Sequence, residues 1–478
     1  MPVNWLLETH MEKQNSKWLS VFILSSAAFL SVIDIFIVNV AVPSIKEGIN
    51  GSDGDIQLVI ALYLLGYAAF LVTGGRIGDY YGKKKVFVIS MVLFTAASCL
   101  CGISQTPFQL NSARLFQGIA AAFMVPQSIS YIQILFPEKQ ERIKALGIYG
   151  TIAGTASVIG QFLGGVLPDT HFFMEGWRLI FMINLPLGLV SAVFAQRYLK
   201  EAVIVKSGKF DYSGVFLLTL TLVFLIYPMI RGRELNWPLW SVLMILAGMV
   251  LLFVFIKDQR KKLSRAKEPL INMELFTFKD FNLGLCAVFF YFMVQDSYFL
   301  INAILFQTGL GISSSETGVY FVFQGVGYVI ASLIAVRLIP FYGKRVLQAG
   351  VLVMIVALVF HVFLFSNGLP DRWLILPVLF FYGIGCGSVL PSLLTVTIKG
   401  VPAKFAGAAA GTYATFQQTA IALGICVVGG LFFYQLDGQP SLNGAAYIGA
   451  YRLATFINIG LLLLVCMFLQ FLPERSAE

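Results

Sequence analysis

Two stretches of the 478-residue chain, Arg76-Ile-Gly-Asp-Tyr-Tyr-Gly-Lys-Lys84 and Arg337-Leu-Ile-Pro-Phe-Tyr-Gly-Lys-Arg345, read as one pattern written twice. Arg, Tyr, Gly and Lys recur at 76/337, 81/342, 82/343 and 83/344, a constant offset of 261. A second set recurs at an offset of 265: Gly118/Gly383, Pro126/Pro391, Pro137/Pro402 and Gly164-Gly165/Gly429-Gly430. Two sets in the same order at nearly one offset mark an internal duplication. Each stretch separates long apolar runs, and the whole chain shares that character. Apolar residues make up 58% of it and charged residues 12%, against an ordinary 45–50% and about 25%. A soluble fold needs charge to cover its surface. Secreted, nucleic-acid-binding and disordered classes need cysteine frameworks, clustered charge or low hydrophobicity, and are excluded with it. A polytopic membrane protein remains.

A bilayer core takes about 20 apolar residues per helix. Breaking the chain at polar clusters gives fourteen spans, near 18–43, 56–76, 85–104, 108–134, 143–168, 177–198, 212–230, 237–256, 280–306, 315–338, 346–366, 373–398, 405–433 and 448–472. An even count puts both termini on one side. Assigning the termini and alternate loops to one face collects 26 of the 33 cations; Lys46, Arg178, Arg231, Arg233, Arg372 and Arg452 fall opposite, and Arg114 lies within a span. Cations accumulate on the cytoplasmic side, so both termini are expected in the cytoplasm of a multi-pass cell-membrane protein. The net charge of +9 then reflects topology and anionic lipid, not a nucleic-acid partner. The first seventeen residues are polar, with no apolar region and cleavage site, so the first span is expected to be retained. The six cysteines sit in apolar runs without metal-ligand spacing.

The repeat offset spans eight helices. Spans 1–6 and 9–14 are therefore equivalent halves, with spans 7 and 8 inserted: an all-α fold of 6+2+6 helices. The expected parts are a cytoplasmic N-terminus (1–17), an N-terminal half (18–200), the hairpin with its linkers (201–279), a C-terminal half (280–472) and a cytoplasmic tail (473–478). Two such halves about an axis along the membrane normal are a transporter architecture, with the binding site between them.

Gly75-Arg-Ile-Gly-Asp79-Tyr-Tyr-Gly82-Lys83-Lys84 resembles the loop 2–3 signature of the major facilitator superfamily, and Asn111-Ser-Ala-Arg114-Leu-Phe-Gln117-Gly118 its span 4 signature. Asp34-Ile-Phe-Ile-Val-Asn39-Val-Ala41-Val-Pro43 and Trp177-Arg178-Leu-Ile-Phe181-Met-Ile-Asn184-Leu-Pro186 resemble the span 1 and span 6 motifs of its fourteen-span drug:proton antiporters. The resemblance runs from about residue 18 to 472. Three departures bear on substrate. Span 5 reads Gly160-Gln161-Phe-Leu-Gly164-Gly165 where the family has Gly-Pro, Phe36 replaces the usual threonine of span 1, and Gln417-Gln418 stands where several members carry a carboxylate.

The ionisable groups well inside spans are Asp34, Arg114, Asp296 and His361. A charge at mid-bilayer costs ~2.5–3.5 kcal/mol on insertion scales, so function is the default reading. At 1.5 Å per residue, Asp34 and Asp296 each lie roughly 24 Å from the cytoplasmic start of their spans, and Arg114 roughly 9 Å below the outer surface. All three fit one level, and the aspartates, 262 residues apart, are expected to face each other across the axis. Arg114 has no twin, because 379 is Leu. Two acids and one permanent cation leave one carboxylate uncompensated and fit for proton exchange. Asp34 is expected to pair with Arg114 and Asp296 to be the freer group. The reverse assignment and a static strut of all three stay open. His361 reads as a hydrogen-bonded packing residue.

By the resemblance, Gly75, Arg76, Asp79, Gly82 and Lys83 form a cytoplasmic gate in which Asp79 meets cations and a helix N-terminus of the other half. Lys83 to Lys85 serve equally to set topology. Gly154, Gly160, Gly164 and Gly165, with Gln161 and Gly150, give span 5 a small face, for sliding at the half–half contact or for tight packing. Asn39, Tyr63, Tyr67, Gln117, Gln127, Gln324, Gln417 and Gln418 are candidates to line the cavity. The expected function is proton-driven export of lipophilic cationic compounds by a monomer in contact with lipid, with the proton gradient as energy source and no cofactor or metal. A dedicated transporter of one metabolite, lipid or siderophore is the alternative. An intramembrane enzyme lacks its constellation here, with no HExxH or P-loop, and a non-transporting sensor is the remaining class.

Overall fold

The computed structural model describes residues 3–170, 174–201, 210–265, 267–365, 370–439 and 443–472. The expected tail at 473–478 and most of the linker at 202–209 lie outside the described residues. Fourteen helices are long and apolar enough to cross a membrane: α1 Lys17–Gly48, α2 Asp53–Tyr81, α3 Lys83–Ile103, α4 Pro107–Leu135, α5 Gln140–Val166, α6 Gly176–Tyr198, α7 Tyr212–Glu234, α8 Leu239–Ser264, α9 Lys279–Gly309, α10 Ser314–Ile339, α11 Lys344–Leu364, α12 Trp373–Ile398, α13 Ala406–Asp437 and α14 Gly444–Phe471. Every expected span is present. Several helices run past the expected edges, α1 through Pro43 and α2 to Tyr81, because charge marks the membrane boundary and not the end of a helix. α6 is interrupted at Ile183, three residues before Pro186, which cannot donate to the carbonyl of Met182 and crowds it.

The duplication is visible at atomic scale. Ser52 caps α2 through the Asp55 amide and Ser313 caps α10 through the Glu316 amide, a pair at offset 261. Thr106 caps α4 and Asp371 caps the next helix of the other half, at offset 265. Gly82 and Gly343 both take positive φ, +93° and +52°, where a side chain would be strained. A Cβ on Gly118 would stand 1.9 Å from the Tyr63 carbonyl oxygen, and one on Gly383 2.0 Å from that of Gln324. In both halves the second and fourth helices thus approach backbone to backbone, which only glycine permits.

Within the N-terminal half α1 packs on α5, α2 on α4, and α3 on α4 and α6; in the C-terminal half α9 packs on α13, α10 on α12, and α11 on α12 and α14. The halves meet along α5–α10, α2–α13 and α1–α9. The α7–α8 hairpin lies outside both bundles, with α7 against α2 and reaching α13.

Closure is one-sided. At the end away from the basic loops, a Cβ on Gly165 of α5 would stand 2.5 Å from the Gly318 Cα of α10, and Ser315 donates to Asp169 from its hydroxyl at 2.5 Å and its amide at 2.8 Å. Gln57 of α2 donates to the Ile425 carbonyl of α13 at 2.8 Å, and Gln307 of α9 to the Val40 carbonyl of α1 at 2.8 Å. Both crossings fall at π-helical turns, Ile425–Gly429 and Leu305–Gly309; at the first a carbonyl of the turn accepts, and at the second a side chain of the turn donates. At the basic end, a Cβ on Gly147 or Gly150 of α5 or Gly407 of α13 would meet nothing within 4 Å. Among the described residues, hydrogen bonds between the halves gather toward the far end.

Candidate functional site

Asp34 is fully buried on α1 and its oxygens are held by three side chains from two helices. Arg114 of α4 donates to Oδ2 at 2.5 Å, Gln117 to Oδ1 at 2.8 Å and Asn184 of α6 to Oδ1 at 3.2 Å. Arg114 also donates to the Val59 carbonyl at 3.0 Å and to Gln117 Oε1 at 2.7 Å, and its guanidinium lies 4.3 Å from the Tyr63 ring centre. Asn184 continues to the Ser98 hydroxyl at 2.9 Å, which donates to the Phe181 carbonyl. A cation and two amide donors satisfy the carboxylate's acceptor sites. The cluster ties α1, α3, α4 and α6 into one body.

Asp296 of α9 is 2% exposed. Asn39 of α1 donates to its Oδ1 at 2.8 Å, and no other hydrogen bond or ion pair reaches it among the described residues. That bond crosses between the halves. The expected pairing of Asp34 with Arg114, and an Asp296 without a cation, are both what the geometry shows. The common level is not. Asp296 sits beside Asn39, five residues and about 7.5 Å along α1 from Asp34, so the aspartates do not face each other directly. Asn39 Oδ1 has no partner.

The remaining cavity candidates divide. Tyr63 and Tyr67 form an edge-to-face pair at 6.1 Å beside Arg114. Gln117 is spent on Asp34. Gln127 is spent on packing, filling the space left by Gly78 and donating to the Gly74 carbonyl. Gln324 and Gln418 are buried with Oε1 unpaired, and Gln417 is half-buried. His361 is buried between Tyr298, 3.2 Å from Nε2, and the Ala357 carbonyl, 2.7 Å from Nδ1, as a packing residue would be.

On α5, Gly160 and Gly164 meet the Ile33 and Ile37 carbonyls of α1, Gly165 meets Gly318 across the halves, and a Cβ on Gly154 would stand 4.0 Å from Tyr328. Tight packing and half–half contact are thus divided among successive glycines. Gln161 is buried with Oε1 unpaired. At the basic end Asp79 pairs with Lys83 of its own loop, not with the other half. Arg76 pairs with Glu268 at 2.5 Å, and Gly75 faces Pro126. Glu201 accepts from the Lys84 and Lys85 amides at 3.0 and 3.3 Å, an anion at the α3 N-terminus packed under Gly82. The contact with the other half expected for Asp79 is not among the bonds of the described residues.

Three residues outside the sequence expectations emerge: Asn184 in the Asp34 cluster, Glu201 at the gate, and Arg233, which joins α7 to α13. Asn184 alone had a signal, its place in the Trp177–Pro186 motif.

The profile of the Major Facilitator Superfamily matches residues 24–425 and 284–478. A Streptomyces coelicolor protein named "Probable actinorhodin transporter" is 32% identical over 89% of this chain and 74% of its own length. The puromycin resistance protein pur8 of Streptomyces alboniger is 28% identical over 97% and 92%, and the multidrug resistance protein Stp of Mycobacterium tuberculosis 28% over 87% and 76%. Among solved structures, a bacterial homologue of the human lysosomal transporter Spinster, inward-facing and unoccupied, superposes with a TM-score of 0.69 at 14% identity over 95% of this chain and 96% of that one. A D-xylose-proton symporter gives 0.67 at 15% over 95% and 97%. These likenesses support the fold. The chain, a multi-pass membrane transporter and not an enzyme, belongs to the Major Facilitator Superfamily.

Proposed function

We propose that the protein exports lipophilic cationic compounds across the cell membrane in exchange for protons, with both termini in the cytoplasm. The basic loops, at the end opposite the seams closed by Gly165–Gly318 and Gln57–Ile425, support that orientation and a reading of this state as inward-facing. The observation that carries the reading is the Asn39–Asp296 bond: a buried carboxylate without a cation, whose one polar partner belongs to the other half. Ionised, Asp296 accepts a charge-assisted bond that helps hold the far end shut. A cationic substrate binding from the cytoplasm takes over the role of counter-ion. When the far end opens, Asn39 and Asp296 separate, the bared carboxylate takes a proton and the substrate leaves. Protonated Asp296 can re-engage Asn39 by donating to the unpaired Oδ1 after the amide turns over, which closes the far end again; the proton then leaves to the cytoplasm and restores the carboxylate that accepts from the Asn39 amide. Asn39 therefore serves both protonation states, and the half–half contact responds to the proton. Three relatives, named for actinorhodin transport, multidrug resistance and puromycin resistance, agree in class.

The test is reconstitution into liposomes holding a pH-sensitive dye, with a panel of lipophilic cations, anions and neutral amphiphiles. Cations that drive proton movement uphold the reading; proton silence across the panel, with folded protein, rejects it. One observation favours a second reading, export of a single compound: along its membrane stretch α13 offers the amides of Gln417 and Gln418, and its acid, Asp437, lies only at its far end. A site built from hydrogen bonds discriminates more sharply than a charge, so a response to one panel member alone would select it.

A further inference from the structure

The far end closes along two seams, and they are built differently. On the α5–α10 seam, Gly165 and Gly318 bring backbones into contact with Asp169 and Ser315 beside them. The α2–α13 seam carries a third party. Arg233, in the last turn of α7, donates to Asp437 at the end of α13 at 2.7 Å and to Gln57 of α2 at 3.5 Å, with its guanidinium 5.3 Å from the Phe433 ring centre. Gln57 is the residue that donates into the π-turn of α13. The neighbouring turn fixes α7 to the N-terminal half: Arg231 pairs with Asp55 and, at 2.5 Å, with Glu234, which accepts from the Gly54 amide at 3.3 Å. The inserted hairpin is therefore anchored on α2 and reaches across to α13.

We propose that the α7–α8 hairpin is a clasp on the far-end gate, with Arg233 as the group that must release Asp437 before the halves part on that side. Its construction suits a catch more than a permanent strut. The Arg233 side chain is 4% exposed but Asp437 is 56% exposed. The pair borders a polar cavity of about 700 Å³ lined by Lys46, Asp53, Glu234 and Gln439 among others. Water reaches one partner and offers a substitute for the bond when it opens, whereas a fully dry pair would be far costlier to separate. Arg233 Nε is unpaired, so the guanidinium is not locked on every side. A six-helix half has no residue to place here; the insertion supplies it.

The inference rests on alternating access of the two halves but not on the ion or the substrate, so failure of proton coupling would leave its test intact. The test uses the full chain in nanodiscs, open to reagent from both faces, with the native cysteines replaced and Thr317→Cys introduced. Thr317 is fully buried beside the Gly165–Gly318 contact and becomes reachable when the far end opens. Arg233→Ala and Asp437→Asn should each speed its modification by a maleimide about threefold, the share expected of a half-hydrated ion pair. The swap Arg233→Asp with Asp437→Arg should return the rate toward the parent. Asp53→Asn, which breaks a pair with Lys46 inside one half, should leave it unchanged. Parental rates in both single variants overturn the clasp. So does an equal acceleration by Asp53→Asn, or an acceleration that the swap does not reverse, since either assigns the effect to packing.

Discussion

Replacing Arg114 by Met removes the one cation from the Asp34 cluster while keeping an unbranched side chain in place of the arginine stem. Three hydrogen bonds go, to Asp34 at 2.5 Å, Gln117 at 2.7 Å and the Val59 carbonyl at 3.0 Å, together with the contact over Tyr63. The larger loss is what stays behind. Asp34 is fully buried, and Gln117 and Asn184 alone cannot balance its charge. Removing one partner of a buried ion pair costs roughly 3–5 kcal/mol, whereas replacing both by neutral groups is often nearly neutral. Arg114→Met and Asp34→Asn alone should therefore each lower stability by that order, and the double variant should recover most of it. Equilibrium unfolding in mixed micelles, followed by tryptophan fluorescence, gives the four corners of the cycle. A single-variant cost under about 1 kcal/mol, or a double variant that costs the sum of the singles, would refute a structural Asp34–Arg114 pair and return Asp34 to the list of proton carriers.

In a background without native cysteines, Asp169→Cys with Ser315→Cys should form a disulfide under mild oxidation, because their side-chain oxygens lie 2.5 Å apart across the α5–α10 seam; transport should stop and return on reduction, and transport that persists with the bridge formed would contradict rocking of the halves. Gly118→Val and Gly383→Val should both abolish folded yield on size-exclusion chromatography, since even a Cβ would stand about 2 Å from a carbonyl of the facing helix. Asp211, just outside α7, is subject to burial that raises its pKa, but hydrogen bonds from Lys262, Gln259 and the Gly214 and Leu270 amides outweigh it and hold the carboxyl below its ordinary range. A depressed acid stabilises above its unfolded pKa of about 3.9 and loses that contribution as pH falls through the folded value. Hydrogen exchange at Leu270, corrected for intrinsic rate, should accordingly rise below about pH 4, and Asp211→Asn should raise it at neutral pH.

The spans were legible because a bilayer leaves a helix no partner for its backbone but itself, so each crossing shows as one long apolar run. The halves were legible because close helix packing demands glycine at fixed places: the offset linking Gly118 to Gly383 in the sequence is the offset of their carbonyl contacts in the structure. Asp34 and Arg114 could be paired by arithmetic, as two opposite charges too costly to leave alone. Depth could not be counted to the same accuracy. A polar boundary marks where a helix leaves the membrane, but α1 and α9 are staggered, and Asp296 came to rest beside Asn39 and not Asp34. Glu201 and Arg233 carried no signal, because each sits in an ordinary polar span end and gains its role from a residue more than a hundred positions away. The partner of Asp79 was illegible for another reason: it depends on which end is open, and a sequence encodes both states at once.

In the proposed exchange Asp296 carries the proton and Asp34 is held in a fixed pair. The most direct measurement is substrate-driven proton flux through proteoliposomes containing the parent protein or Asp296→Asn, each first shown to be folded and each assayed over a range of substrate concentrations, because Asp296 also serves a cationic substrate as counter-ion. Proton movement is expected with the parent and none with Asp296→Asn at any substrate concentration, and the variant should bind cationic substrate more weakly. Proton movement at the parental rate through Asp296→Asn would contradict that role of Asp296.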